Sequence, residues 1–114
     1  MSALQGIARC EFHDGQLEEF KRLAAQAMEI VRNKDTGTLQ FEISSNDDQS
    51  ECIVLERYRD SQALIEHAEH FGDLGQALFR AGWVSGELIG EPSAELKAMM
   101  ASSGIRLFTP FLSL

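Results

Sequence analysis

Between Gly6 and Phe12 the chain alternates, with Ala8, Cys10 and Phe12 on one side and Arg9 and Glu11 on the other, the period of a half-buried strand. His13-Asp14-Gly15 breaks that pattern, and the period lengthens. Leu17, Phe20, Ala24, Ala27, Met28 and Val31 recur at three- and four-residue spacing, opposite Glu18, Glu19, Lys21, Arg22, Glu29 and Arg32. This predicts an amphipathic helix of about five turns, opened by the Asp14-Gly15 turn and an acidic first turn. A turn at Lys34-Asp35-Thr36-Gly37 leads into Leu39, Phe41 and Ile43, which alternate with Gln40, Glu42 and Ser44 as a second strand. The polar run from Ser45 to Glu51 is a hairpin loop. Cys52 to Tyr58 follows as a strand whose Ile53, Val54 and Leu55 are apolar on both faces, which places it centrally in a sheet.

Asp60 or Ser61 is positioned to cap a second helix with Leu64, Ile65, Ala68 and Phe71 as its inner stripe; Gly72 interrupts it before Leu74, Leu78 and Ala81 continue. Trp83 to Ile89 reads as a fourth strand, ended by Gly90-Glu91-Pro92. The order strand, helix, hairpin, helix, strand is the split βαββαβ arrangement of an α+β, ferredoxin-like fold with an antiparallel sheet. Beyond this core of about residues 6–90, Ser93 caps a short helix carrying Leu96, Met99 and Met100, Gly104 ends it, and Ile105 to Leu112 is a last apolar segment. Pro110 lacks a backbone donor, so that segment is an edge strand or an arm lying on another surface. No repeat or linker divides the 114 residues, so the expectation is a single domain over 1–114.

Helices on one face of such a sheet leave the other to be solvated or covered. The two-sided apolar third strand and the terminal Ile105, Leu107, Phe108, Phe111 and Leu112 favour cover by a second copy of the chain. The expected assembly is a homodimer whose facing sheets enclose a barrel. The alternative is a monomer whose tail folds back on its own sheet edge.

Composition narrows the partners. Eighteen acidic against ten basic side chains leave a formal charge of -8, which repels phosphate backbones and anionic headgroups, so neither nucleic acid nor membrane is expected as a partner. No apolar run is long enough to span a bilayer, and Met1-Ser2-Ala3-Leu4-Gln5 lacks the basic start and apolar stretch of an export signal, so a cytoplasmic location is expected. Cys10 and Cys52 lie inside strand-like segments and read as buried thiols.

Candidate chemistry centres on the second helix. His67 and His70 are three apart, so they point the same way beside the apolar stripe. A neutral imidazole there is suited to accept a proton, and His67 is the candidate acid/base; the competing reading is a histidine hydrogen-bonded at the helix surface. A His-x-x-His metal pair lacks further ligands in suitable spacing, so no metal is expected. Tyr58 and Trp83 are candidates to stack on a flat ligand or donate to it, and otherwise are core aromatics. Glu56 and Arg57 occupy opposite faces of the third strand, so one of them is directed toward the cavity side and needs a partner there; Arg57 would hold an anionic oxygen or pair with a carboxylate on a neighbouring strand. No Gly-rich phosphate loop or nucleophile elbow is present.

Three stretches resemble the antibiotic biosynthesis monooxygenase (ABM) family of the dimeric α+β barrel superfamily. They are Asp14-Gly15-Gln16-Leu17-Glu18-Glu19-Phe20, then Thr36-Gly37-Thr38-Leu39-Gln40-Phe41-Glu42, and Val54-Leu55-Glu56-Arg57-Tyr58-Arg59-Asp60 leading to Ala63-Leu64-Ile65-Glu66-His67. The resemblance implies an oxygenase that needs no metal or flavin and acts on a small aromatic, phenol- or quinol-type molecule able to give an electron to dioxygen itself. It also implies a functional position at His67. The alternatives within the same scaffold are a non-catalytic dimeric small-molecule-binding module and a haem-binding or haem-degrading relative. The haem-degrading pattern pairs an asparagine on the first strand with a tryptophan and a histidine around the second helix; here the first strand has no Asn and Trp83 lies well downstream of His67.

Overall fold

The computed structural model describes residues 3–114, with the side chains of Trp83 and Val84 excepted. The strands are β1 (Leu4–Phe12), β2 (Thr38–Ser45), β3 (Glu51–Tyr58), β4 (Gly82–Ile89) and β5 (Arg106–Phe108); the helices are α1 (Leu17–Lys34), α2 (Ser61–Phe71), α3 (Asp73–Arg80) and α4 (Ala94–Met100). The sheet order is β2-β3-β1-β4-β5. β1 runs antiparallel to both β3 and β4, β2 antiparallel to β3, and β5 parallel to β4. The α+β, ferredoxin-like order expected from the hydrophobic pattern is thus present, with β5 added at the edge through the α4 crossover.

Alternation along β1 and β3 sorts the two faces of the sheet. Leu4, Cys10, Cys52 and Tyr58 are buried beneath the helices, whereas Gln5, Arg9, Glu11 and Arg57 are exposed on the opposite face. Two clusters fill the helix side. Cys10, Phe20, Cys52 and Ala81 gather under α1 and α3, while Leu4, Tyr58, Ala63, Ile65, Leu88 and Leu96 gather under α2 and α4. Cys10 and Cys52 are register partners and remain free thiols.

The ends of the helices follow from local chemistry. Asp60 accepts from the Ala63 N–H at 2.9 Å, and Ser93 accepts from Leu96 N–H at 3.2 Å, which caps α2 and α4. α1 opens after the Asp14-Gly15 turn with the expected acidic first turn: its N-cap, Gln16, makes no side-chain cap, and Glu18 and Glu19 complement its dipole. Gly72 separates α2 from α3 with φ +48°, a conformation costly for other residues.

β2 differs in one respect from its alternating pattern. A bulge between Thr38 and Gln40 shifts the register, and Leu39 is 57% exposed instead of joining Phe41 and Ile43 on the helix side. The terminal apolar segment divides: Arg106–Phe108 pairs with β4, and the chain from Thr109 onward is an exposed arm.

The face of the sheet away from the helices carries half-buried Ile7, Ile53, Leu55 and Ile89. No helix among the described residues is long and apolar enough to cross a membrane.

Candidate functional site

The turn before β2 carries a carboxylate into the interior. Gly37 makes this possible: a Cβ there would lie 2.5 Å from the Ala63 Cβ, so only glycine lets the turn approach α2 so closely. The Arg59 N–H donates to Gly37 C=O at 2.9 Å, and Glu66 on α2 accepts from the Thr36 N–H at 2.7 Å. Held this way, the Asp35 side chain is 1% exposed and receives three donors. His67 Nδ1 and Thr38 Oγ1 each lie 2.7 Å from Oδ2, and His70 Nδ1 lies 2.7 Å from Oδ1.

The three-residue spacing of the histidines on α2 thus becomes a fork closing on one carboxylate. Burial works against ionising Asp35, but the hydrogen bonds from His70, Thr38 and His67 outweigh it and hold its pKa below the ordinary carboxylate value. An ionised carboxylate only accepts, so both imidazoles present Nδ1–H to it and Nε2 is left for other partners.

His67 is 6% exposed and is ringed by Phe71, Tyr58 and Phe41, with ring centroids at 4.2, 5.2 and 5.5 Å. Its Nε2 lies 3.8 Å from Glu56 Oε1. The same oxygen accepts a short hydrogen bond from the Tyr58 hydroxyl. Burial, then the charge of Glu56 and its hydrogen bond, push the Tyr58 hydroxyl far above the ordinary phenol range, so it acts as a donor and not as a phenolate. The result is a polar line, Tyr58–Glu56–His67–Asp35–His70, hydrogen-bonded at every step but the 3.8 Å approach of His67 to Glu56.

Glu56 and Tyr58 open onto a cavity of about 230 Å³ between the sheet and helices α2 and α4. Leu64, Leu88, Leu96 and Met100 are among its walls. His67 does not line the cavity; it reaches the lining through Glu56, 3.8 Å from its Nε2, and through the Tyr58 ring.

The family profile of antibiotic biosynthesis monooxygenases matches residues 6–74, which hold every member of this polar line. The chain belongs to the ABM family. Among solved structures, MupZ from Pseudomonas fluorescens superposes with a TM-score of 0.87 at 22% identity, covering 100% of this chain and 94% of that one. Rv0793 from Mycobacterium tuberculosis gives 0.71 at 20% identity, covering 81% of this chain and 97% of that one. SnoaB from Streptomyces nogalater, described as a cofactor-independent oxygenase, gives 0.69 at 13% identity with 82% and 97% covered. These likenesses establish a shared fold. No curated protein matches the chain significantly.

Within this ABM domain, the structure brings together three of the five residues singled out in the sequence. His67, His70 and Tyr58 meet around Asp35 and Glu56. Arg57 does not join them: its neighbour Glu56 takes the helix side, and Arg57 is exposed on the other face, beside Gln5, Ile89 and Pro110. The side chain of Trp83 lies outside the described residues.

Asp35 carried no signal in the sequence beyond its place in a turn. Among the described residues, Asp35, Glu66 and His70 form the one cluster with metal-ligand atoms within 4.8 Å of one another. Both carboxylates already accept hydrogen bonds, Asp35 from three donors and Glu66 from the backbone and hydroxyl of Thr36, so a cation there would compete with those bonds.

Proposed function

We propose that the chain is a cofactor-independent monooxygenase acting on a small phenol- or quinol-type molecule, with Glu56 as the proton acceptor at the cavity and His67 as the group that shares its proton. The observation that carries this reading is a carboxylate on an apolar cavity wall, backed at 3.8 Å by an imidazole that a buried aspartate holds in one tautomer. The Glu56 carboxylate can take a proton from a ligand hydroxyl in the cavity, and the His67 Nε2 behind it at 3.8 Å is placed to share that proton. Deprotonation turns the substrate into an electron-rich anion that gives one electron to dioxygen. The resulting radical and superoxide join through a new C–O bond, and the peroxide loses water to leave a carbonyl. Phenol plus dioxygen then gives quinone plus water, with the substrate as sole reductant. Likeness in fold to SnoaB, described as a cofactor-independent oxygenase, supports the same chemistry.

The working form is proposed to be a homodimer. The half-buried Ile7, Ile53, Leu55 and Ile89 on the sheet face away from the helices, and the arm residues Phe111 and Leu112 at 91% and 83% exposure, are apolar surface that a second copy would cover.

The test is oxygen uptake with a phenol or quinol, uncatalysed autoxidation subtracted. Glu56→Gln and His67→Ala should each lower turnover by about a hundredfold or more, the usual size of a general-base contribution. Wild-type turnover in both variants would remove Glu56 and His67 from the chemistry, and no uptake above autoxidation in the wild type would leave a non-catalytic binding module.

A further inference from the structure

The cavity that Glu56 opens onto has walls of an unexpected kind for a flat ligand. Leu64, Ile65, Leu88, Leu96, Met99 and Met100 surround it, and Tyr58 is its one aromatic wall among the described residues. The Phe41 and Phe71 rings do not line it and are packed against His67. Aliphatic and thioether side chains make adaptable apolar contacts and favour no planar shape.

The floor is bare. Along the path from Glu56 on β3 across β1 to β4 lie Gly6, Ala8 and Gly86. Neither glycine is needed for backbone shape, since neither has a positive φ. Neither is needed for packing: a Cβ at Gly6 would meet Glu56 at 3.5 Å, and one at Gly86 would meet the Ile7 carbonyl oxygen at 3.6 Å and Ile105 Cγ1 at 3.8 Å, ordinary contacts in each case. Glycine weakens a strand interior, and a common reason to find it there is that something else must lie close to the backbone. The roof over this floor is Leu96, Met99 and Ile105, from a C-terminal segment outside the matched span 6–74.

We propose that the substrate carries an unbranched aliphatic chain that lies across β1 and β4 over Gly6, Ala8 and Gly86, roofed by Leu96, Met99 and Ile105, with its acidic group at Glu56. This rests on the cavity being the site described under the proposed function. The trough crosses two strand spacings, about 10 Å, so it accommodates a chain of a few carbons and not a long lipid. The C-terminal segment then determines specificity, while the polar line beneath it supplies the chemistry.

Calorimetric titration of the full chain with phenol, 4-n-butylphenol and 4-n-hexylphenol tests this without requiring turnover. Affinity should rise with chain length, by up to about fourfold per methylene buried. Gly86→Val should abolish that rise by filling the trough, and its melting temperature should equal or exceed wild type because a strand glycine has been replaced. Ile105→Ser should flatten the rise from the roof side, and decides the matter if Gly86→Val does not fold. Equal affinity across the series in the wild type, or an unchanged rise in folded Gly86→Val, overturns the proposal. Oxygen uptake on the same compounds separates the two readings. A rise in affinity without any uptake supports the aliphatic site and removes the monooxygenase. Uptake with phenol and no chain-length dependence does the reverse.

Discussion

Replacing Asp35 by asparagine keeps the shape of the buried turn and removes one charge. The carboxylate accepts from His67, His70 and Thr38, all at 2.7 Å, and its side chain is 1% exposed, so water cannot substitute for a lost partner. An asparagine oxygen can replace one carboxylate oxygen, but its NH₂ group then faces an imidazole N–H, and that histidine must change tautomer or lose its partner. If the oxygen stays with His67 and Thr38, the conflict falls on His70, whose side chain is 27% exposed and can rehydrate. The cost is then about one hydrogen bond to a charged group, about 2 kcal/mol. For a domain of this size that is a drop of about 6–12 °C in melting temperature.

The pH dependence provides a sharper check. Because the folded pKa of Asp35 is depressed, its contribution is complete above the unfolded value of about 3.9 and is lost as pH falls through the lower folded value. Thermal unfolding of both proteins between pH 7 and pH 2.5 should show a gap that is steady down to about pH 4–5 and narrows below the unfolded value. Taking the difference between the two proteins cancels the titration of the other carboxylates to first order. A gap under about 1 °C at pH 7, where the loss of one charged hydrogen bond predicts several degrees, would refute the bridging role. So would a gap that does not narrow in acid.

Two further outcomes test other parts of the structure. Tyr58→Phe keeps the ring beside His67 but deletes the donor to Glu56, so urea unfolding should show a loss of about 1–2 kcal/mol with an unchanged m-value; an unchanged midpoint would mean that the hydroxyl bond contributes nothing. Deleting residues 109–114 removes an arm that is exposed throughout, so the urea midpoint of the subunit measured at low concentration should hold while sedimentation velocity shows a weaker dimer; unchanged association would show that the arm does not bridge subunits.

The fold was legible because its signals are local. The period of two in β1 and β3, the three-and-four spacing of α1 and the caps at Asp60 and Ser93 each lie within a few residues of the element they define. The bulge in β2 was not, since Leu39 is chemically as apolar as Phe41 and only the pairing register sets it apart. The site was half legible. Helical spacing put His67 and His70 on one side of α2, but their common partner lies 32 and 35 residues earlier, in a turn whose composition predicts a solvated loop. Strand parity showed that Glu56 and Arg57 face opposite ways; the buried Tyr58, two residues from Glu56, decides which faces the helices.

The attachment of the turn at Asp35–Gly37 bears on how the molecule opens. Connecting segments ordinarily exchange their amide hydrogens by local fraying. This one is fastened through the contact of Gly37 with Ala63, the Arg59 amide on its carbonyl, and Glu66 on Thr36. Releasing it would also strip Asp35 from both imidazoles. The Thr36 and Arg59 amides are therefore expected to exchange together with α2 and the end of β3, more slowly than those of an unfastened turn.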